Sequence, residues 1–206
     1  MKILLTAFDP FGGEAINPAQ EAVKLVADTV AGAEIVKLAV PTVFGRATGV
    51  VAEAMRSVQP QAVVCVGQAG GRTAITPERV AINIQDASIP DNVGDMPADR
   101  PILPGGPAAY FATLPIKAMV QAIKDIGLPA AVSNTAGTFV CNHLMYGVLH
   151  LIEEEFQGIL GGFIHVPYLY EQAAQKKEPA FFMALEDIVR GLEAALSAVA
   201  EALHTL

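Results

Sequence analysis

The chain has 206 residues, with 13 lysines and arginines against 21 aspartates and glutamates, for a formal net charge of −8 with its four histidines neutral. This balance repels nucleic-acid phosphates and anionic membranes, and no basic arm or patch offsets it. Hydrophobic residues make up 52% and charged residues 17%, which suits strands buried on both faces in a chain long enough to form a large core without covalent staples.

Ile3 to Ala7 reads as a buried first strand, ended by the turn-forming Phe8-Asp9-Pro10-Phe11-Gly12-Gly13. Asn17-Pro18 has the form of an N-cap with Pro at the first helical position, opening a helix through Ala22, Val23, Val26 and Val30. Asn17 is then either that cap or a functional residue. Residues 34–40 form a second strand, Pro41 breaks it, and a helix follows through Val43, Ala47, Val50, Val51, Ala54 and Val58. That is a βαβ rhythm. The apolar run from Ala62 to Gly67 predicts a central parallel strand with Cys65 packed inside it. It empties into Gln68-Ala69-Gly70-Gly71-Arg72 and on to Pro77-Glu78-Arg79, at the strand end where α/β proteins place ligands. No G-x-G-x-x-G or G-K-[ST] follows, so a nucleotide site is rejected.

Residues 80–84 are expected to form a further strand, antiparallel to its neighbour. Residues 85–107 carry Pro90, Pro97, Pro101, Pro104 and Pro107, an irregular excursion of the length used for lids and interface arms. Its charged residues, Asp86, Asp91, Asp95, Asp99 and Arg100, are expected to be solvated. Thr113-Leu114-Pro115 opens a helix closed by Gly127, and a short strand spans Ala130 to Ser133. A Gly-containing loop then leads into a helix whose stripe is Met145, Val148, Leu149, Ile152 and Phe156. Cys141 begins that helix, where the macrodipole and free N–H groups favour a thiolate. His143 and His150 lie opposite it on the helical wheel, so a base for this thiol must come from elsewhere. The strand from Gly161 to Pro167 supplies His165 at its carboxyl end, and a helical tail from Pro179 covers the sheet.

No repeat or linker divides the chain, which reads as one α/β domain over residues 1–206. Two cysteines are too few for a disulfide framework, and the amino-terminal apolar run is too short for a signal peptide, so a cytoplasmic setting is expected. Glu78, Cys141 and His165 each follow a different buried strand, and such positions converge on one edge of an open α/β sheet. A cysteine nucleophile needs a base within reach, and an imidazole serves better when a carboxylate fixes its tautomer. Taken singly, the three read as a core cysteine, a strand-end histidine and a capping carboxylate; together they read as a triad.

Along essentially its whole length the chain resembles the pyroglutamyl peptidase I family, also called pyrrolidone-carboxylate peptidases. The likeness rests on Phe8 through Gly13, Gly67 through Arg72, Pro77 through Asn83, Ser133 through His143, and Gly162 through Tyr168. It implies a cysteine peptidase that removes an amino-terminal pyroglutamyl residue through a thioester, with Cys141 as nucleophile, His165 as base and Glu78 as orienting acid. It also implies a three-layer α/β/α sandwich around a mixed, mostly parallel twisted sheet, and a cytosolic homo-oligomer, tetramer or dimer. Phe8, Phe11, Phe139 and Val140 match positions that hold the lactam ring, and Asn17 and Gln68 match positions near its polar edge. No cofactor or metal is implied.

Pyroglutamate has no free α-amine to grip, so flat apolar contact and a few placed polar groups must recognise it. One residue departs from the family pattern: Ser88 stands in Asp86-Ala87-Ser88-Ile89-Pro90-Asp91-Asn92 where the family carries arginine. Backbone N–H groups at the Cys141 helix start are then the remaining candidates for stabilising an oxyanion. Two other readings compete. A non-hydrolytic binder of pyroglutamyl ends would need no activated thiol. A metal hydrolase would need ligands beyond Cys141, His165 and Glu78, and no H-E-x-x-H or C-x-x-C motif supplies them.

Overall fold

Lys2–Phe8 is buried from Ile3 onward and apolar there except at Thr6, and this strand, β1, is an interior member of the sheet. A computed structural model describes residues 1–205. β1 lies between β3 (Ala33–Val40) and β4 (Ala62–Gln68), with β8 (Leu160–Val166) beyond β4, all four parallel. Short antiparallel strands close the two edges, β2 (Thr29–Val30) against β3 and β5 (Thr76–Pro77) against β8. Continuous apolar sequence is what a parallel strand covered on both faces requires.

Alternate residues feed two cores. Ile3, Leu5, Val64, Val66, Ile164 and Val166 pack with α1 (Pro18–Leu25), α3 (Ile116–Asp125) and α6 (Leu185–His204). Leu4, Phe8, Val63, Cys65 and Phe163 pack with α2 (Arg46–Val58) and α4 (Val140–Glu154). The result is the expected three-layer arrangement around a mixed, mostly parallel sheet.

Several boundaries differ from the sequence reading. Val30 fits the helical spacing, but α1 stops at Leu25 and the chain makes a two-residue hairpin instead. Ala31 and Gly32 both take positive φ there, at 46° and 79°, the turn that matches strand twist. Val43 is buried ahead of α2 rather than in it. Residues 130–133 make only isolated bridges, Ile75 to Ala130 and Glu78 to Ser133. β6 (Val80–Ile82) is antiparallel as expected, but it pairs with β7 (Ala109–Phe111) outside the main sheet. The tail becomes helical only at Leu185, preceded by the one-turn α5 (Tyr170–Ala173) and a Tyr168–Phe182 bridge.

The excursion over residues 85–107 is held down by its own polar groups. Asp91 was expected in solvent, yet it is buried and accepts from the backbone N–H groups of Phe44, Val93 and Asp95 at 2.9–3.0 Å. Burial alone raises a carboxyl pKa, but these donors outweigh it and hold Asp91 below its ordinary value. Asn92 adds bonds to Asp9 Oδ1 and Pro10 O. The excursion is thereby tied to the loops that follow β1 and β3.

Candidate active site

Register brings the site together. Ala7 pairs with Val66, and Gly67 pairs with His165, so Phe8, Gly67 and His165 form a row at the carboxyl ends of β1, β4 and β8. All three fall on the face that packs against α4. On the sheet edge, Thr76 pairs with His165, and Glu78 N–H donates to Phe163 O at 2.8 Å. This sets Glu78 beside His165, and Glu78 Oε1 faces His165 Nδ1 at 2.7 Å. A carboxylate can only accept, so Nδ1 carries the proton and Nε2 is left as the free base.

Cys141 is the second residue of α4, and no side chain caps that helix. Its Sγ lies directly over Gly67, where a Cβ would sit 3.0 Å from the sulfur and 2.8 Å from the Phe163 ring. Glycine is what lets the thiol descend to the row that holds His165. Gly67→Ala is therefore expected to cost about 1–3 kcal/mol of stability by overpacking, and to depress activity further by displacing Sγ. Thermal melting and kcat measured on the same preparation check both effects. Asn142 anchors the helix start by bonding the backbone of Ile82 in both directions and Ile84 O, each at 2.9 Å.

Burial dominates the electrostatics. It pushes the Cys141 thiol up to about 12, the Glu78 charge adds to this, and Arg72 opposes it. The sequence reading expected the helix start to favour thiolate, but desolvation outweighs it in the free protein. Burial also lowers the His165 pKa, and the raising effect of Glu78 does not fully restore it. Burial thus favours the neutral form of both the thiol and the imidazole. Glu78 is held below its ordinary pKa although burial opposes this, because His165, the neighbouring Ser133 hydroxyl and Arg72 favour its charge. Ser133 Oγ also bonds Thr135 O in the structure.

Aromatic side chains cluster at the residue that precedes α4. Phe11 and Phe139 have ring centroids 5.9 Å apart, and Phe44 meets Phe139 edge-on at 5.4 Å. Phe8 is fully buried against Phe163 at 6.3 Å, and Val140 is fully buried at the start of α4. Asn17 spends its amide on structure, since Oδ1 caps α1 through Ala19 N–H and Nδ2 donates to Asp9 O. Gln68 ends β4 in the alternation that faces α1, opposite Cys141, and its side chain accepts from Gln172 at 2.9 Å. Of the two α4 histidines, His143 accepts from Gly45 N–H and His150 meets Tyr110 OH. Neither is bonded to the Glu78 and His165 pair.

A profile described as pyroglutamyl peptidase matches residues 1–202. The pyrrolidone-carboxylate peptidase of Streptococcus pyogenes is 58% identical over 201 residues, covering 98% of this chain and 93% of that protein. This chain belongs to the pyroglutamyl peptidase family. The crystal structure of Bacillus amyloliquefaciens pyroglutamyl peptidase I superposes with a TM-score of 0.92 at 53% identity, covering 97% of both chains. A variant of the Pyrococcus furiosus pyrrolidone carboxyl peptidase gives a TM-score of 0.94 at 40% identity, covering 98% of this chain and all of that one.

Within this pyroglutamyl peptidase fold, the departing residue Ser88 is exposed on the excursion. Its neighbour Ile89 approaches the Phe11-Gly12 loop, within 3.4 Å of where a Cβ on Gly12 would lie. Sequence reasoning passed over Arg72, Phe44 and Asn142. A charged residue in an otherwise apolar glycine-rich loop was the one available signal for Arg72. Nothing local marks Phe44 or Asn142, whose roles exist only once α4 packs on the loops after β3 and β6.

Proposed function

We propose that this chain is a cysteine peptidase that hydrolyses the amide bond after an amino-terminal L-pyroglutamyl residue. The observation that carries the reading is the buried His165–Glu78 contact of 2.7 Å in register with Gly67, over which the Cys141 sulfur sits. His165 Nε2 takes the thiol proton as Sγ attacks the pyroglutamyl carbonyl. The oxyanion forms near the N–H groups at the α4 start, where no side chain caps the helix. The imidazolium then protonates the leaving amine and a thioester remains. Water, deprotonated by His165, hydrolyses that thioester to release pyroglutamate and restore the thiol.

In this reading, Phe8, Phe11, Phe139 and Val140 grip the lactam ring, with Asn17 and Gln68 toward its polar edge. Because the Gln68 side chain is engaged by Gln172, its backbone is the part offered to the ring. We read the chain as a single peptidase domain that works in the cytoplasm as a homodimer or homotetramer. Exposed apolar residues such as Phe111, Val93 and Met96 support an assembly, and sedimentation equilibrium tests it. The activity test is hydrolysis of a chromogenic pyroglutamyl amide beside the matching prolyl amide. Turnover of the first alone is expected, and failure on a folded preparation would overturn the reading.

A further inference from the structure

Arg72 takes no chemical part in the steps above, yet its guanidinium bonds three residues on two segments that frame them. Nη1 donates to Glu78 Oε1 and, at 2.6 Å, to Thr76 Oγ1, while Nη2 donates to Thr135 O at 2.9 Å. Thr76 is the residue paired with His165 across β5 and β8. Thr135 belongs to the loop that enters α4 and delivers Cys141. The Glu78 oxygen that Arg72 holds is the same Oε1 that faces His165 Nδ1. The second oxygen, Oε2, is buried with no partner among the described residues. The two side-chain bonds recorded for this carboxylate thus converge on one oxygen.

The Glu78 side chain is 0% exposed and that of Arg72 25%, so the guanidinium reaches in from the surface and covers a buried anion. A carboxylate in that position needs a paired charge, and a planar guanidinium holds it and a carbonyl oxygen from two separate nitrogens in a fixed geometry that a single ammonium nitrogen does not reproduce. We propose that Arg72 is a positioning residue, which fixes Glu78 Oε1 on His165 and ties the Cys141 loop to that pair. This rests on the triad reading above.

The charged groups that act on His165 are Glu78, from the end of β5, and Arg72, from the loop before it; the Phe163 ring packs on the imidazole at 4.8 Å, and the Cys141 thiol of α4 lies over Gly67, the strand partner of His165. Arg79 turns its Nε to Asn134. Glu78 raises the His165 pKa and Arg72 lowers it, and Arg72 lowers that of Cys141 as well. Removing the guanidinium charge therefore moves both upward, and the acid limb of activity with them. A merely structural arginine would change the amount of folded enzyme and leave the limb where it was.

The experiment compares kcat/KM against pH for the parent, Arg72→Met and Arg72→Lys on a pyroglutamyl amide, with melting temperatures. In Arg72→Met the acid limb should rise by about half a pH unit or more, with kcat down about tenfold or more. Arg72→Lys keeps the charge, so its limb should stay with the parent. It loses the fork, so its kcat should still fall several-fold, by roughly 3–10. A folded Arg72→Met whose profile superimposes on the parent overturns the proposal. If Arg72→Met does not fold, parent-level kcat in Arg72→Lys does the same. The His165 imidazole titration followed by NMR in parent and variants reads the shift without turnover. An inactive parent would therefore sink the triad reading while the Arg72 contact was still decided.

Discussion

Cys141→Ala reduces hydrolysis of a pyroglutamyl amide to background, a loss in kcat of at least about 10⁴-fold, with little change in melting temperature. Cys141→Ser loses nearly as much, because an alcohol in the same place is a far weaker nucleophile with the same base. The contrast is Cys65→Ala. Cys65 is fully buried in β4, and burial pushes its thiol up to about 12. Losing it costs about 1 kcal/mol of packing and leaves kcat of the folded enzyme near the parent value. Because burial also pushes the Cys141 thiol up to about 12, alkylation by iodoacetamide should be slow, and should track activity loss one for one. An active Cys141→Ser beside a folded but inactive Cys65→Ala would show that the nucleophile is Cys65 and not Cys141.

What the sequence revealed and what it hid divide along a physical line. The apolar strands β1, β4 and β8, the Asn17-Pro18 start of α1 and the entry of Cys141 into α4 are local patterns, and each stands where its residues predict. The rule that loops at parallel-strand ends meet locates His165 at the end of β8, but Glu78 reaches it by another route: β5 runs antiparallel to β8 at the sheet edge and sets Glu78 opposite Phe163. Hidden features depend on partners distant in the chain. Val30 satisfies a helical spacing, but Ala31-Gly32 can adopt the paired positive φ of a hairpin, and pairing with Ala33 wins. Asp91 looks like any loop aspartate until the loop after β3 brings Phe44 N–H to it. Gly70-Gly71 suggests an anion cradle by composition alone, whereas the Tyr168 ring occupies the space a Gly70 Cβ would need. Side-chain direction is the subtlest loss. Gln68 and Gly67 are adjacent in sequence, and one position in a strand decides which face each serves.

Two histidines make the sharpest remaining test, because both have depressed pKa values for the same reason and should fail differently. His165→Ala is expected to lower kcat by about 10³–10⁴-fold while its melting temperature stays close to the parent's. His143→Ala should keep most of its kcat and lose stability. The His143 ring is buried, accepts the Gly45 N–H at 3.2 Å, and stacks on Phe44 at 5.6 Å. Burial lowers its pKa to about 4. Below the ordinary histidine range the unfolded chain takes up a proton that the folded chain refuses, so stability falls as pH drops from about 6.5 to about 4. The full difference is about 3 kcal/mol over that window, and it vanishes with the side chain. His143→Ala should therefore be less stable than the parent at pH 7 and show a flatter acid limb in chemical denaturation. For His165 the same sign applies to activity: kcat/KM should hold as pH falls through the ordinary histidine range and drop only at a lower value, where the buried imidazole is finally protonated. A His143→Ala protein that is stable but inactive, beside a His165→Ala protein that still turns over, would move the base to the opposite face of α4 and undo the site built here.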